Sequence, residues 1–367
     1  MEEGRKTQSD DKSGSQPEEG KTEFQWHIPE NIIVLILSKL PVDSLLRCRC
    51  VSKSWRSLIS DLSVQTQKAI LLNYVSPTEV QQQWTITSID NEGSIKDLQS
   101  PPLPFSRKDP PYIWGSCNEL VLVSPSLSSY MFLWNPSTGY CKKTSLRLPT
   151  IHIPPVSGLC HDPSTGDYKV VLASERRWEV NIMVGSVKSK SWTEMSDRHI
   201  PGNKVNYLLQ GPTVNGVLHW VAVTEKGENI VCFHPRLNEF TKLPTPSRKA
   251  FRRNPIFGLG VLEGSLAMVL RMGEGSSKGK FEVLSMKECD NGGSWTKLFV
   301  ISSPLGNILR LEPLICTKKG EVMLLQDSNK ILSCTPEDGS CREIFASPSL
   351  VFQVAMLADS FVAPPNY

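Results

Sequence analysis

Leu133-Trp134-Asn135-Pro136-Ser137-Thr138-Gly139-Tyr140 contains the unit that decides the fold. An apolar strand ends, a polar turn reverses the chain, and an aromatic residue opens the returning strand. Pro pre-sets φ for such a turn, and Gly supplies a positive φ without steric cost. The unit recurs along the chain. The residues that open the returning strands are Ile95, Tyr140, Trp192, Phe240, Trp295 and Cys341. Their separations are 45, 52, 48, 55 and 46 residues, averaging about 49. The turns before them are Asp90–Ser94, Pro136–Gly139, Lys188–Ser191, Pro235–Glu239, Lys287–Ser294 and Pro336–Ser340. A strand-built period near 50 is expected of a β-propeller with one four-stranded blade per repeat. Six units predict about six blades. The early strand Ala69–Val75 and the late strand Val351–Leu357 are then placed to pair and close the ring. A β-sandwich or irregular barrel would use similar strands and stays open at this point.

Working outward, the β texture fills residues 67–367. Short apolar runs at Leu120–Val123, Tyr168–Leu172, Val217–Val221, Val261–Leu262, Ala267–Leu270 and Val322–Leu325 alternate with turn clusters. The 24–66 segment reads differently. Pro29 suits a first helical position. The run Ile32-Ile33-Val34-Leu35-Ile36-Leu37 is apolar on every helical face, and Pro41 is expected to end that helix. Asp43 or Ser44 is placed to cap a second helix carrying Leu45, Leu46, Cys48 and Val51. Ser52 is placed to cap a third, in which Trp55, Leu58, Ile59 and Leu62 form one stripe. Such a small module cannot cover Ile32, Ile33, Ile36, Leu37 and Leu40 by itself, so an external partner is implied. The alternative is that this helix packs on the β-domain. Residues 1–23 lack any large apolar side chain and are expected to be a disordered tail. The fold class is therefore α+β and multidomain: a small three-helix module, then a mostly-β domain.

Composition narrows the function classes. A net charge of +3 over 367 residues argues against a nucleic-acid footprint, which needs clustered Lys and Arg. No apolar run approaches the ~18 residues of a membrane span, so no membrane contact is expected. The start of the chain does not read as a signal peptide, nor its end as a lipidation signal. Ten cysteines without a CxxC pair, and no glycosylation acceptor site, fit a reducing setting in the cytoplasm or nucleus. The cysteines are expected to act as small apolar residues rather than disulfide partners.

Ile28 to Ile59 resembles an F-box. The matching features are Ile28-Pro29-Glu30, the apolar first helix, Leu40-Pro41-Val42, Ser44-Leu45-Leu46-Arg47 and Val51-Ser52-Lys53-Ser54-Trp55. The family usually has Leu at the position of Ile28. The remainder is similar to the F-box-associated, kelch-like domain of plant F-box proteins. The resemblance rests on Trp114-Gly115-Ser116-Cys117-Asn118, Leu133 to Thr138, Asp162-Pro163 with Asp167 to Val171, Asn215 to Trp220, Phe240 with Leu243-Pro244, and Ser294 to Phe299. Where the family usually has Gly after Cys117-Asn118, this chain has Glu119, which is less comfortable in a turn needing φ > 0. The double-glycine kelch signature is absent except for Gly292-Gly293.

The resemblance implies a non-enzymatic, target-selecting subunit of a Skp–cullin–F-box ubiquitin ligase. A Skp-family adaptor would bind the F-box and connect it to the cullin and RING subunits. The residues implied for the adaptor are Ile28, Pro29, Ile32, Ile33, Ile36, Leu37, Leu40, Pro41, Leu45, Leu46, Val51 and Trp55. No catalytic residue, metal or cofactor is expected. The basic cluster Arg248, Lys249, Arg252 and Arg253 is a candidate contact for an acidic or phosphorylated target, set against a plain solvated loop. The target protein itself has no sequence code.

Other constellations fall away. Gly275 to Lys280 lacks phosphate-loop spacing, and Gly258, Gly260 and Gly264 read as a turn. Cys48 and Cys50 point to different helical sides. His161, read in a turn, and His219, read in a strand beside Trp220, have no second ligand at metal spacing. Two alternatives remain: a propeller enzyme or small-ligand binder carrying an F-box, and an F-box scaffold acting outside ubiquitination.

Overall fold

The computed structural model describes residues 28–40, 42–48, 51–61, 67–75, 83–98, 103–105, 111–125, 128–149, 156–176, 179–196, 199–201, 204–246, 256–272, 280–286, 294–302, 308–346, 353–358 and 365. The 1–23 tail, Pro41, Leu62, most of the 275–280 glycine stretch and the 248–253 basic cluster lie outside them.

The N-terminal module comprises three short helices: α1 (Glu30–Leu37), α2 (Val42–Cys48) and α3 (Lys53–Asp61). Pro29 is the N-cap of α1, one position earlier than the sequence suggested, and its carbonyl accepts from the Ile32 and Ile33 amides. The helix ends at Leu37, four residues before Pro41, with Ser38 as C-cap. Asp43 and Ser44 lie inside α2 rather than before it. Ser52 does cap α3, its hydroxyl accepting from the Trp55 amide at 3.0 Å.

The rest is a mostly-β propeller. Its first sheet runs β25 (Gln353–Ala358), β1 (Gln67–Val75), β2 (Gln83–Asp90), β3 (Ile95–Leu98). The second holds β4 (Pro111–Cys117), β5 (Leu120–Pro125), β6 (Tyr130–Trp134) and β7 (Cys141–Arg147). The third holds β8 (Val156–Asp162), β9 (Asp167–Arg176), β10 (Glu179–Ser186) and β11 (Ser191–Ser196). The fourth holds β12 (Val205–Leu209), β13 (Thr213–Val214), β14 (Val217–Thr224), β15 (Gly227–His234) and β16 (Glu239–Leu243). The fifth holds β17 (Ile256–Leu262), β18 (Ser265–Met272), β19 (Lys280–Met286) and β20 (Trp295–Ile301). The sixth holds β21 (Leu311–Cys316), β22 (Val322–Gln326), β23 (Lys330–Cys334) and β24 (Cys341–Ala346). Every pairing is antiparallel, and β1 pairs with β25 from Gln67↔Ala358 to Leu72↔Gln353. The closure expected from the sequence is therefore present.

Each sheet buries both faces. The Trp114–Leu122 side of the second sheet packs on Leu159 and Val170 of the third, while Val121 and Val123 face Ile86 and Ala355 of the first. Similar clusters fill the gaps between the third and fourth, fourth and fifth, fifth and sixth, and sixth and first sheets. Two-sided burial explains the continuous apolar runs in place of strict alternation.

Ile95, Trp295 and Cys341 open β3, β20 and β24, Trp192 and Phe240 stand second in β11 and β16, and Tyr140 falls one residue before β7. Two of them also lock neighbouring sheets. The Trp192 indole donates to the Arg147 carbonyl of the preceding sheet, and Trp295 does the same to Pro244, each at 2.7 Å.

Gly258 and Gly260 are not a turn. Both lie in β17, where an added Cβ would meet the backbone carbonyls of Leu311 and Pro313 on β21. The glycines let adjacent inner strands approach closely at the axis. Another correction concerns Cys334 and Cys341. They sit opposite each other across β23 and β24, with Cα atoms 4.1 Å apart, and form a disulfide.

The β4–β5 turn holds Asn118 at φ 46° and Glu119 at φ 60°. Two successive left-handed residues make the type I′ geometry that favours Gly in second place. Replacing Glu119→Gly should raise the unfolding free energy by about 1 kcal/mol. Gly260→Ala should lower it by roughly 3 kcal/mol or more, because a rigid backbone stands in the way. Urea unfolding of both variants measures the two signs.

Candidate functional site

The helical module keeps a core of its own. Leu37, Leu45 and Ile59 are fully buried, with Ile33, Leu40, Cys48, Trp55 and Leu58 packed around them. Ile28, Pro29, Ile32, Ile36 and Val51 lie exposed. The twelve residues singled out for an adaptor thus divide into an outward set, an inner core, and Pro41 and the Leu46 side chain, which lie outside the described parts. Leu35, absent from that set, is 56 % exposed beside Ile32 at 42 % and Ile36 at 50 %. Ile32, Leu35 and Ile36 recur at i, i+3 and i+4, one stripe along α1, and Ile28 stands exposed just before the Pro29 N-cap. The all-round apolar run was the signal for Leu35; periodicity alone could not choose its face.

The inner strands run parallel around a central channel. Ile113 and Ser116 of β4 bond to Gln353 and Met356 of β25, in the same order along both strands. Each inner strand therefore starts at one end of the channel, where the connections between sheets lie. Each finishes at the other, where tight turns such as Asn118–Glu119 and Glu263–Gly264 lie. The two ends are called here the loop end and the turn end. β1 begins at the turn end, opposite Ala358, so the chain from α3 enters there. The 247–255 segment between β16 and β17, which carries Arg248, Lys249, Arg252 and Arg253, lies outside the described residues.

The channel mouth at the loop end is a cavity of about 250 Å³ lined from every sheet. Its polar lining includes Tyr112, Ser157, Gln210, Arg310, Glu312 and Gln353. The Arg310 guanidinium pairs with Glu312 and donates to the Gln210 carbonyl at 2.9 Å, spanning from the sixth sheet to the fourth. Burial pushes the Glu312 carboxyl up, against the pull of Arg310. Gln353 Oε1 accepts from the Ile113 amide at 2.6 Å. None of these residues stood out in the sequence, because they come from separate inner strands and share no spacing.

A second hollow, of about 540 Å³, lies on the third sheet beside Asn238. Its charged groups are bound to neighbouring hydroxyls and turns. Asp167 accepts from the Ser186 hydroxyl and the Lys188 amide, and Lys169 donates to Pro235 and Asn238. Among the described residues no group of three or more His, Cys, Asp or Glu side chains could hold a metal ion. His161 lies near the end of strand β8, its ring packed at a tilt against Tyr168, rather than in a turn. No described helix is long and apolar enough to cross a membrane.

Residues 53–352 match the family model of the F-box associated beta propeller domain, and residues 26–66 match that of the F-box domain. An F-box/kelch-repeat protein of Arabidopsis thaliana is 28 % identical over 300 residues, covering 75 % of this chain and 79 % of the relative. The F-box protein CPR1 of the same plant is 26 % identical over 346 residues, covering 82 % and 80 %. Among solved structures, TolB from Acinetobacter baumannii superposes with a TM-score of 0.48 at 13 % identity, covering 84 % of this chain and 71 % of that one.

His219 gives the ring a pH dependence. It lies in β14 at 1 % exposure, with both ring nitrogens buried. Burial holds its pKa down at about 4. An unfolded histidine binds a proton near pH 6.5, so the unfolded state gains protons first as pH falls. Stability is full above pH 6.5 and is lost between 6.5 and 4, by about 3 kcal/mol for this one group. Urea midpoints measured from pH 7.5 to 4.5 should fall, and His219→Phe should flatten that part of the slope.

Proposed function

The chain belongs to the F-box proteins that carry an F-box associated beta propeller domain, and on that premise we propose that it is the target-recognition subunit of a Skp–cullin–F-box ubiquitin ligase. An F-box implies binding to a Skp-type adaptor in general. The observation that carries the reading further is the outward stripe Ile32, Leu35 and Ile36, with Ile28 before it, left uncovered by the module's own core. Each such side chain contributes roughly 1.5–3 kcal/mol if fully buried. An adaptor groove that takes α1 lengthwise buries all four.

Through the adaptor the module joins a cullin and its RING subunit, in the cytoplasm or nucleus. The propeller, whose closed antiparallel sheets support a reading of six blades, presents the target. The chain contributes no covalent chemistry of its own. Its effect on rate is proximity, since a tethered target meets the ubiquitin donor at a high effective concentration. Ubiquitination and degradation of the target follow. The topology supports this division of labour: α3 leads into the ring at the turn end, while the intersheet connections and the channel cavity lie at the opposite end.

The test is co-expression with a Skp-family adaptor. The wild type should purify with it in one-to-one stoichiometry. The double variant Ile32→Asp/Ile36→Asp should weaken capture by at least 100-fold, because two unpaired carboxylates would enter the interface. Both positions are exposed, so thermal melting of the variant should match the wild type. A wild type that captures no adaptor, or a variant that captures it equally, overturns the reading.

A further inference from the structure

The cavity at the loop end carries information about what it receives. Arg310 and Glu312 are the only charged residues in its described lining, and they pair with each other. A carboxylate or phosphate entering the mouth would meet Glu312, and an ammonium would meet Arg310. Either would split the pair and leave a poorly solvated charge without its partner. The chemistry therefore selects an uncharged guest.

That guest must also form hydrogen bonds. Ser157 borders the cavity at 1 % exposure, and its hydroxyl, shielded from solvent, has no partner although it can both donate and accept. Gln353 spends its carbonyl oxygen on the Ile113 amide, which leaves its NH2 group as donor. Glu312 can only accept, and Arg310 can only donate. A carboxamide matches this set, since one planar group carries two N–H donors and a two-lone-pair acceptor with no charge. Hydrogen-bonding sites of this kind reject analogues that leave their polar groups unpaired.

The rim supplies an apolar contact. Leu309 is 89 % exposed, and the Asp327 carboxylate holds its backbone rigid by accepting from the Leu309 and Arg310 amides at 2.8 Å each. A large apolar side chain fixed in water beside a polar pocket resembles the ring of contacts that excludes water around an interface anchor.

We propose that the loop-end mouth of the channel is the anchor pocket for an Asn or Gln side chain of the target protein, with Leu309 covering apolar target surface beside it. This rests on the reading of the chain as a target-recognition subunit. It names the chemistry by which that subunit chooses.

The full chain, co-purified with its adaptor, is titrated by saturation-transfer NMR with N-acetyl-glutamine methylamide. The probe should bind at least tenfold more tightly than the corresponding glutamate and lysine methylamides. Ser157→Ala should weaken it at least fivefold. That change removes an unpaired buried hydroxyl, so the melting temperature should hold or rise, which separates lost binding from lost folding. Equal or tighter binding of the charged probes overturns the proposal. Binding of glucose without binding of the glutamine probe overturns the carboxamide assignment. Tighter binding of free glutamine than of the blocked probe assigns the pocket to a free amino acid and overturns the target side chain. No binding of any probe by a complex that still holds its adaptor overturns the pocket and leaves the adaptor reading standing.

Discussion

The pairing of β1 with β25 is the contact on which the remaining architecture depends. It joins residues 281 to 291 positions apart in register, from Gln67↔Ala358 to Leu72↔Gln353. Without it the first sheet has no inner strand, and the apolar faces between the first, second and sixth sheets open to water. With it the ring has no free edge at that seam, which is how closed β architectures avoid edge-to-edge association. The closing strand also lines the candidate site. Gln353 and Met356 of β25 bond directly to β4, and Gln353 forms part of the cavity wall. The seam and the candidate target site thus share one strand.

Much of this was legible in the sequence for a simple reason. Turn chemistry and strand openers are local, and they repeat. Tyr140, Trp192 and Trp295 marked the returning strands because each sheet places the same kind of residue near the same point. The reason for tryptophan became visible only in three dimensions, where Trp192 and Trp295 reach back to the preceding sheet. Gly258 and Gly260 were misread because glycine signals both a turn and a close approach, and sequence alone does not say which. The Cys334–Cys341 pair escaped because composition pointed to a reducing setting. The two cysteines flank a turn that brings them face to face across neighbouring strands. The α1 stripe was legible as an excess of apolar residues. Its division into core Leu37 and outward Leu35 was not, since a helix apolar on all sides has no preferred face until α2 and α3 pack on it. The channel mouth was wholly illegible, being assembled from six distant inner edges.

The two candidate surfaces obey different physics. The helical face presents exposed apolar side chains, Ile32, Leu35 and Ile36, as suits a durable contact whose free energy comes from burial. The channel mouth is small, polar and internally neutralised, as suits discrimination rather than raw affinity. Their separation follows from the winding of the ring. Every inner strand runs from the loop end to the turn end, so entering β1 at the turn end assigns the loops to the opposite end. A subunit that must bind a constant adaptor and a variable target benefits from that separation, because changes in the loops leave the adaptor face untouched.

Hydrogen–deuterium exchange of the full chain, with and without a Skp-family adaptor, tests this two-surface account most directly. The account predicts new protection confined to residues 28–37 and the neighbouring α3 segment, with the strand ends around the channel mouth (residues 111–113, 308–312 and 353–354) unchanged. Protection at the channel mouth on adaptor binding, or none along α1, would contradict it.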